Sequence, residues 1–285
     1  MSSQYGEIMS LKNFEHHSSN INYPTLISIS MLAYVITTAM HEYLGHAVAC
    51  SFIGGKLTEL NAFYIDCEYG SISDFSIRFI SIAGPLASVL IGMISFILFR
   101  NLKNLSANTK YFLWLLGTIS LLTATGYLIF SGITGLGDFG LTRDGALFEL
   151  SPVWLWRTLI TIFGIAGYGS VVAYSLKNLD RILGGKDPER KNRAKSLTLI
   201  SYLSGCGMAI LIGLFNPQGL YIILLSSVAS TAGGTSALLW MTRFLKKEKT
   251  PTMPLISINK DIRWVGISFL IISLFGIIFG PSLYL

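Results

Sequence analysis

Long apolar runs separated by short polar stretches set the pattern of this chain. Seven runs, at 25–53, 76–99, 110–133, 153–176, 196–215, 218–242 and 263–283, are long enough for a helix to cross a hydrocarbon core about 30 Å thick. The pattern predicts an all-α polytopic membrane protein. Residues 1–24 are polar, and the apolar run after them is too long for a removable leader, so they read as a cytoplasmic tail. The fifth and sixth runs meet at Asn216-Pro217-Gln218-Gly219, a turn signal that predicts a tight hairpin. One connection has a different texture. Between 54 and 75, aromatic residues and Ile alternate with polar ones around Phe63 to Tyr69. That alternation predicts a short strand or hairpin lying against the membrane, with a plain extracytoplasmic loop as the alternative. The chain thus divides into the tail 1–24, a three-span core with its outer loops at 25–150, and a four-span region at 151–285.

Composition agrees with the pattern. Charged residues make up 13% of the chain and mean hydropathy is +0.58, where a soluble domain carries roughly 25% charge. A soluble enzyme and a disordered chain are both excluded. Three cysteines, Cys50, Cys67 and Cys206, are too few for a disulfide framework. The net charge of +6 raises the question of nucleic acid, but no basic stripe falls on a folded soluble unit, so no nucleic-acid role is expected. The basic residues sort by membrane side instead. With seven spans, 17 of the 21 Lys and Arg fall on one face, seven of them between Lys177 and Lys195. This predicts a cytoplasmic N-terminus and an extracytoplasmic C-terminus. Trp154 and Trp156 at one boundary, and Trp240 and Trp264 at the other, read as aromatic belts. The later spans lack central charges, which argues against a transporter.

The first span departs from that rule. It contains His41-Glu42-Tyr43-Leu44-Gly45-His46, three ionisable residues within six positions of an apolar helix. Such residues are costly in a membrane and mark function by default. A metal ion would use both imidazoles and neutralise the carboxylate. Two zinc-binding His usually stand four apart on one helix face, with a Glu beside the first as base. Here they stand five apart, which on a regular helix turns them about 140° from alignment. A one-residue π-bulge would restore the alignment, and Gly45 inside the interval eases it. The alternative is a ligand pair of Glu42 and His46, four apart, with His41 behind them. The other two His, His16 and His17, lie in the polar tail and read as solvated. A third ligand must then be an acid on the same side: Glu59, Asp66, Glu68, Asp74, Asp138, Asp144 or Glu149. Asp138 stands out, in Gly135-Leu136-Gly137-Asp138-Phe139-Gly140, where the glycines let the chain bend sharply towards a neighbouring helix. A capping or turn Asp is the plain alternative. Asp144, before Gly145, is the runner-up. His41 lies roughly 24 Å into the first span, at about the depth of Asp138 beyond the third.

The His-Glu-x-x-Gly-His core followed by Ala47-Val48-Ala49 resembles the site-2 protease family of intramembrane zinc metallopeptidases, whose motif is one residue shorter. The longer spacing also looks like the zinc motif of the soluble dipeptidyl peptidase III family. Ala83-Gly84-Pro85-Leu86-Ala87-Ser88 is similar to the site-2 family's Ala-Gly-Pro segment, with Ser88 where Asn is usual. The resemblance covers about residues 30–145. It implies that 54–75 is a membrane-associated hairpin able to present an edge strand to an extended substrate. It implies that His41, His46 and Asp138 hold Zn²⁺, with Asp138 standing for the Asp of a downstream Leu-Asp-Gly motif. Glu42 is then the catalytic base, and the substrate a membrane protein cut at a peptide bond. Two other classes remain: a zinc-dependent membrane hydrolase of a lipid amide or ester, and a catalytically silent relative that binds a membrane partner.

Overall fold

The computed structural model describes residues 21–70, 73–247 and 255–285, with the backbone alone for 222–227. His16 and His17 lie outside the described residues. Six helices are long and apolar enough to cross a membrane: α1 (Tyr23–Phe52), α2 (Asp74–Asn101), α3 (Ala107–Thr134), α4 (Val153–Leu183), α5 (Glu189–Gly213) and α7 (Ile262–Phe279). The protein is therefore an all-α polytopic membrane protein. The apolar run expected as a single sixth span, 218–242, is helical but not uniform. This run, α6, begins with the turn Leu220–Ile222, continues as a π-helix over Ile223–Gly233, breaks at residues 235 and 236, and ends as Ala237–Trp240 with a 3₁₀ turn Met241–Phe244. Its two glycines explain part of that. A Cβ on Gly126 of α3 would lie 2.9 Å from Gly234 Cα, so the two backbones touch where α6 is irregular.

Helix α1 begins with Asn22 as N-cap, whose side chain accepts from Thr25 N at 3.1 Å. α2 and α3 are capped in the same way by Ser73 and Ser106. The centre of the bundle is α3. Its Tyr111, Trp114, Leu115, Ile119 and Leu122 are fully buried, and Trp114 Nε1 donates to Ser175 O of α4 at 2.9 Å. Hydroxyl pairs join α1 to its neighbours inside the apolar core: Ser30 with Ser201, Tyr34 with Thr235, and Thr37 with Ser120. A buried hydroxyl without a partner costs free energy in this setting, so the pairs fix helix register as well as satisfying each other.

The expected hairpin is present. β1 (Lys56–Leu60) pairs antiparallel with β2 (Ile65–Glu68), with a register shift between Leu57 and Glu59. A third strand, β3 (Leu283–Tyr284), pairs with the other edge of β1, giving the order β2-β1-β3. Cys50 at the end of α1 and Cys67 in β2 form a disulfide, Cα atoms 6.2 Å apart. Three cysteines gave no framework, yet two of them form this single staple. Asn61, fully buried at the hairpin turn, ties the C-terminal region to it. Its Nδ2 donates to Gly280 O and Ser282 Oγ, and its Oδ1 accepts from Asn216 Nδ2 at 2.9 Å. Asn216 opens the tight turn expected between α5 and α6, closed by Gly219 N donating to Asn216 O at 2.9 Å. The C-terminal region is thus packed onto the core through the same sheet that flanks the site.

Candidate metal centre

Within α1, Met40–Ala47 is π-helical. The wider turn does what the spacing of five requires, and brings His41 Nε2 within 3.3 Å of His46 Nε2. Both rings are buried. Each has its other nitrogen occupied: His41 Nδ1 lies 3.0 Å from Ser88 Oγ, and His46 Nδ1 lies 2.8 Å from Ile80 O. A carbonyl only accepts, so His46 carries its proton on Nδ1 and presents a lone pair at Nε2. The ring of Tyr127 stacks on His41 with centroids 4.8 Å apart.

α2 supplies the opposite wall. A Cβ on Gly45 would meet Gly84 Cα at 2.5 Å, so the two helices approach at backbone contact. A Cβ on Gly84 would lie 2.2 Å from His46 Nε2 and 2.7 Å from His41 Nε2. Only a residue without a side chain leaves the space in front of both imidazoles clear. Pro85 follows inside the helix and removes one backbone donor there.

The acid comes from the end of α3. Gly135 caps that helix with φ +76°, and Gly137 has φ +77°. These left-handed positions turn the chain back over the helix end. Arg157 of α4 donates to the last carbonyls of α3, to Gly132 O at 2.9 Å and to Ile133 O. Leu141 N bonds Gly135 O, and Ala146 N bonds Asp138 O at 2.8 Å. The knotted turn delivers Asp138 Oδ2 to 3.1 Å from His41 Nε2, and Oδ1 to 3.6 Å from His46 Nε2. One donor atom from each of His41, His46 and Asp138 lies within 4.8 Å of the others. Asp138 Oδ2 is buried, and its partner there is His41 Nε2. Two imidazole Nε2 atoms and a buried carboxylate that face one another at 3.1 to 3.6 Å, with a glycine in front of them, fit a divalent ion of the zinc type.

The other candidate acids fall outside the group of His41, His46 and Asp138. Asp144 accepts from Tyr69 OH at 3.0 Å, and its backbone oxygen accepts from Ser81 Oγ. Glu59 accepts from Tyr64 OH at 2.6 Å. Burial, followed by the neighbouring carboxylate, pushes both phenols above their ordinary range, so they stay protonated donors at neutral pH. Glu42 is buried beside the ligand group without belonging to it, and the Glu42–His46 pairing is not what assembles. With His46 and Asp138 it lines a cavity of about 340 Å³, bounded by Tyr64, Ile65 and Asp66 of the hairpin and by Ser230 of α6. The sequence reading missed Ser88 and Ile80 as imidazole partners and Tyr127 as the stacking ring. In the sequence Ser88 is marked only by standing where the site-2 family usually has Asn.

No protein-family model, curated protein or solved structure matches this chain. The site is read from its own geometry.

Proposed function

We propose that this protein is an intramembrane zinc metalloprotease that cleaves peptide bonds of membrane-associated substrates. The observation that carries the reading is the convergence of His41, His46 and Asp138 in front of a side-chain-free Gly84, with Glu42 buried on the same cavity. Zinc held there would polarise a carbonyl and lower the pKa of a water towards about 7. Glu42 is the one carboxylate of the motif left to take a proton and pass it to the leaving amine. Asp138 and the two imidazoles hold position through Ser88, Ile80 and the turn after α3. Strand β2 is at the edge of its sheet and runs along the cavity through Ile65 and Asp66. An extended peptide added to that edge would pass over the ligand group. A cavity lined by β2 and by Glu42, Asp66, Asp138 and Asp144 favours a peptide over a lipid amide or ester.

We place the site on the extracytoplasmic side, with the N-terminus cytoplasmic. The distribution of Lys and Arg supports this, and so does the Cys50–Cys67 disulfide, because disulfides persist in oxidising compartments. The test is cleavage of a single-span reporter protein in proteoliposomes. Wild type should cut it, and Glu42→Gln should keep its metal while losing at least about a hundredfold in rate. Unchanged cleavage by Glu42→Gln, or none by zinc-loaded wild type across a panel of reporters, would overturn the reading.

A further inference from the structure

The cavity over the ligand group carries two acids for which the proposed chemistry has no use. Glu42 and Asp138 lie at its buried end, whereas Asp66 of β2 and Asp144 of the loop after α3 are exposed on its outer side. No Lys or Arg side chain lines it among the described residues, and Arg143, next to Asp144, is outside the lining. A divalent ion would offset Glu42 and Asp138 in number and leave Asp66 and Asp144 without a cationic side chain in the lining. The walls between these acids are aromatic: Tyr64, Tyr69, Tyr127 and Phe130. The two outer phenols are committed. Tyr64 donates to Glu59, and Tyr69 donates to Asp144 Oδ1, which leaves Asp144 Oδ2 available to a further donor. Ser81 fixes the Asp144 backbone at 2.7 Å, so that carboxylate is held in place. Aromatic side chains beside carboxylates, in a cavity lined by no Lys or Arg, suit an organic cation.

We propose that the outer half of this cavity selects a Lys or Arg side chain close to the scissile bond, with Asp144 and Asp66 as the residues that determine specificity. The inference rests on the peptidase reading and names its substrate class. A peptide is favoured over a choline headgroup by the position of Asp66. It sits in the edge strand itself, beside main-chain groups that an extended peptide uses and a headgroup does not.

The test is a binding measurement on full-length Glu42→Gln protein in detergent, which cannot turn the probe over. The probes are two fluorescent heptapeptides of Ala and Val, identical except for a central Lys or norleucine. The Lys peptide should bind about tenfold more tightly, a difference of roughly 1.4 kcal/mol. Asp144→Asn combined with Asp66→Asn should remove the preference and leave norleucine binding within about twofold. Asn still accepts from Tyr69, so the loop is kept. Free phosphocholine at millimolar concentration should not compete. Equal affinity for the two peptides, a preference that survives both substitutions, or phosphocholine displacing the Lys peptide would each overturn the proposal, the last in favour of a lipid headgroup. Metal content read on the same sample separates the two levels. Lys selectivity without metal would defeat the peptidase reading and leave the cation site. Metal without selectivity would do the reverse.

Discussion

Ser88 and Gly84 act on the ligand group from the same helix in opposite ways, one by contact and one by absence. Ser88 Oγ holds His41 Nδ1, which turns Nε2 towards Asp138. Outer partners of this kind are worth about ten- to a hundredfold in metal affinity. Ser88→Ala should therefore weaken zinc binding by about tenfold or more in competition with a chelating dye, at unchanged stoichiometry under saturating zinc. An unchanged affinity would mean that the contact does not orient the ring. Gly84→Ala should abolish binding, because the added methyl falls 2.2 Å from His46 Nε2. An intact Cys50–Cys67 bond on a non-reducing gel would show that the fold survived. His41, Glu42 and His46 were legible as a candidate site because ionisable residues in an apolar span demand a partner. Ser88 was not, because a Ser in a span has no signature until its register against another helix is known. Asp138 and Asp144 were separated only by the structure. Both sit among glycines, and only the path of the turn after α3 decides which reaches the imidazoles.

The π-helical stretch Met40–Ala47 is what turns a spacing of five into a shared face. A π-bulge is equivalent to one inserted residue, so deleting one residue within it should restore a regular helix and leave the flanks in register. Leu44 is about half exposed, in a groove with Val48, Leu86 and Leu90. Its deletion, which leaves His41-Glu42-Tyr43 followed directly by Gly45 and His46, should keep both the Cys50–Cys67 bond and the metal. Loss of the disulfide together with the metal would show that the bulge has a second role. The same disulfide pins the cavity-lining strand to the helix that carries His41 and His46 across a separation of 17 residues. Closing such a loop is worth about 3 kcal/mol in chain entropy. Cys67→Ser should accordingly lower the thermal midpoint, read by tryptophan fluorescence, while metal stoichiometry persists. Loss of metal in that variant would mean that β2 helps to assemble the ligand group. The hairpin was legible as an alternation of polar and apolar residues. The disulfide and β3 were not. Both are contacts between distant segments that no local pattern announces.

Over the whole molecule, strand pairing bears on the number of crossings. β1 follows α1 and β3 follows α7, yet the two strands pair, so both lie on one side of the membrane. Ile21, before α1, bridges Ile258, before α7, on the other side. Each pairing requires an even number of crossings in between, and both are met if the irregular run α6 crosses as well. Single cysteines placed at residues 105 and 186 in a Cys206→Ser background should therefore react with an impermeant maleimide only from the cytoplasmic side. One placed at Gln218 should react only from the outside. The opposite labelling would invert the orientation. The apolar pattern made the long helices legible, because each was a single run above the length of a span. It did not show that α6 is assembled from π, α and 3₁₀ pieces, because where a backbone meets a neighbour, as Gly234 meets Gly126 of α3, leaves no local pattern. We propose that the whole bundle holds a metal at one point. Elemental analysis of protein purified in zinc-containing buffer tests it directly, with His46→Ala, Asp138→Ala and Asp144→Ala alongside wild type. We expect about one zinc per chain in wild type and Asp144→Ala, and none in the other two. A wild type without metal, or an Asp138→Ala protein that keeps it, would contradict the account.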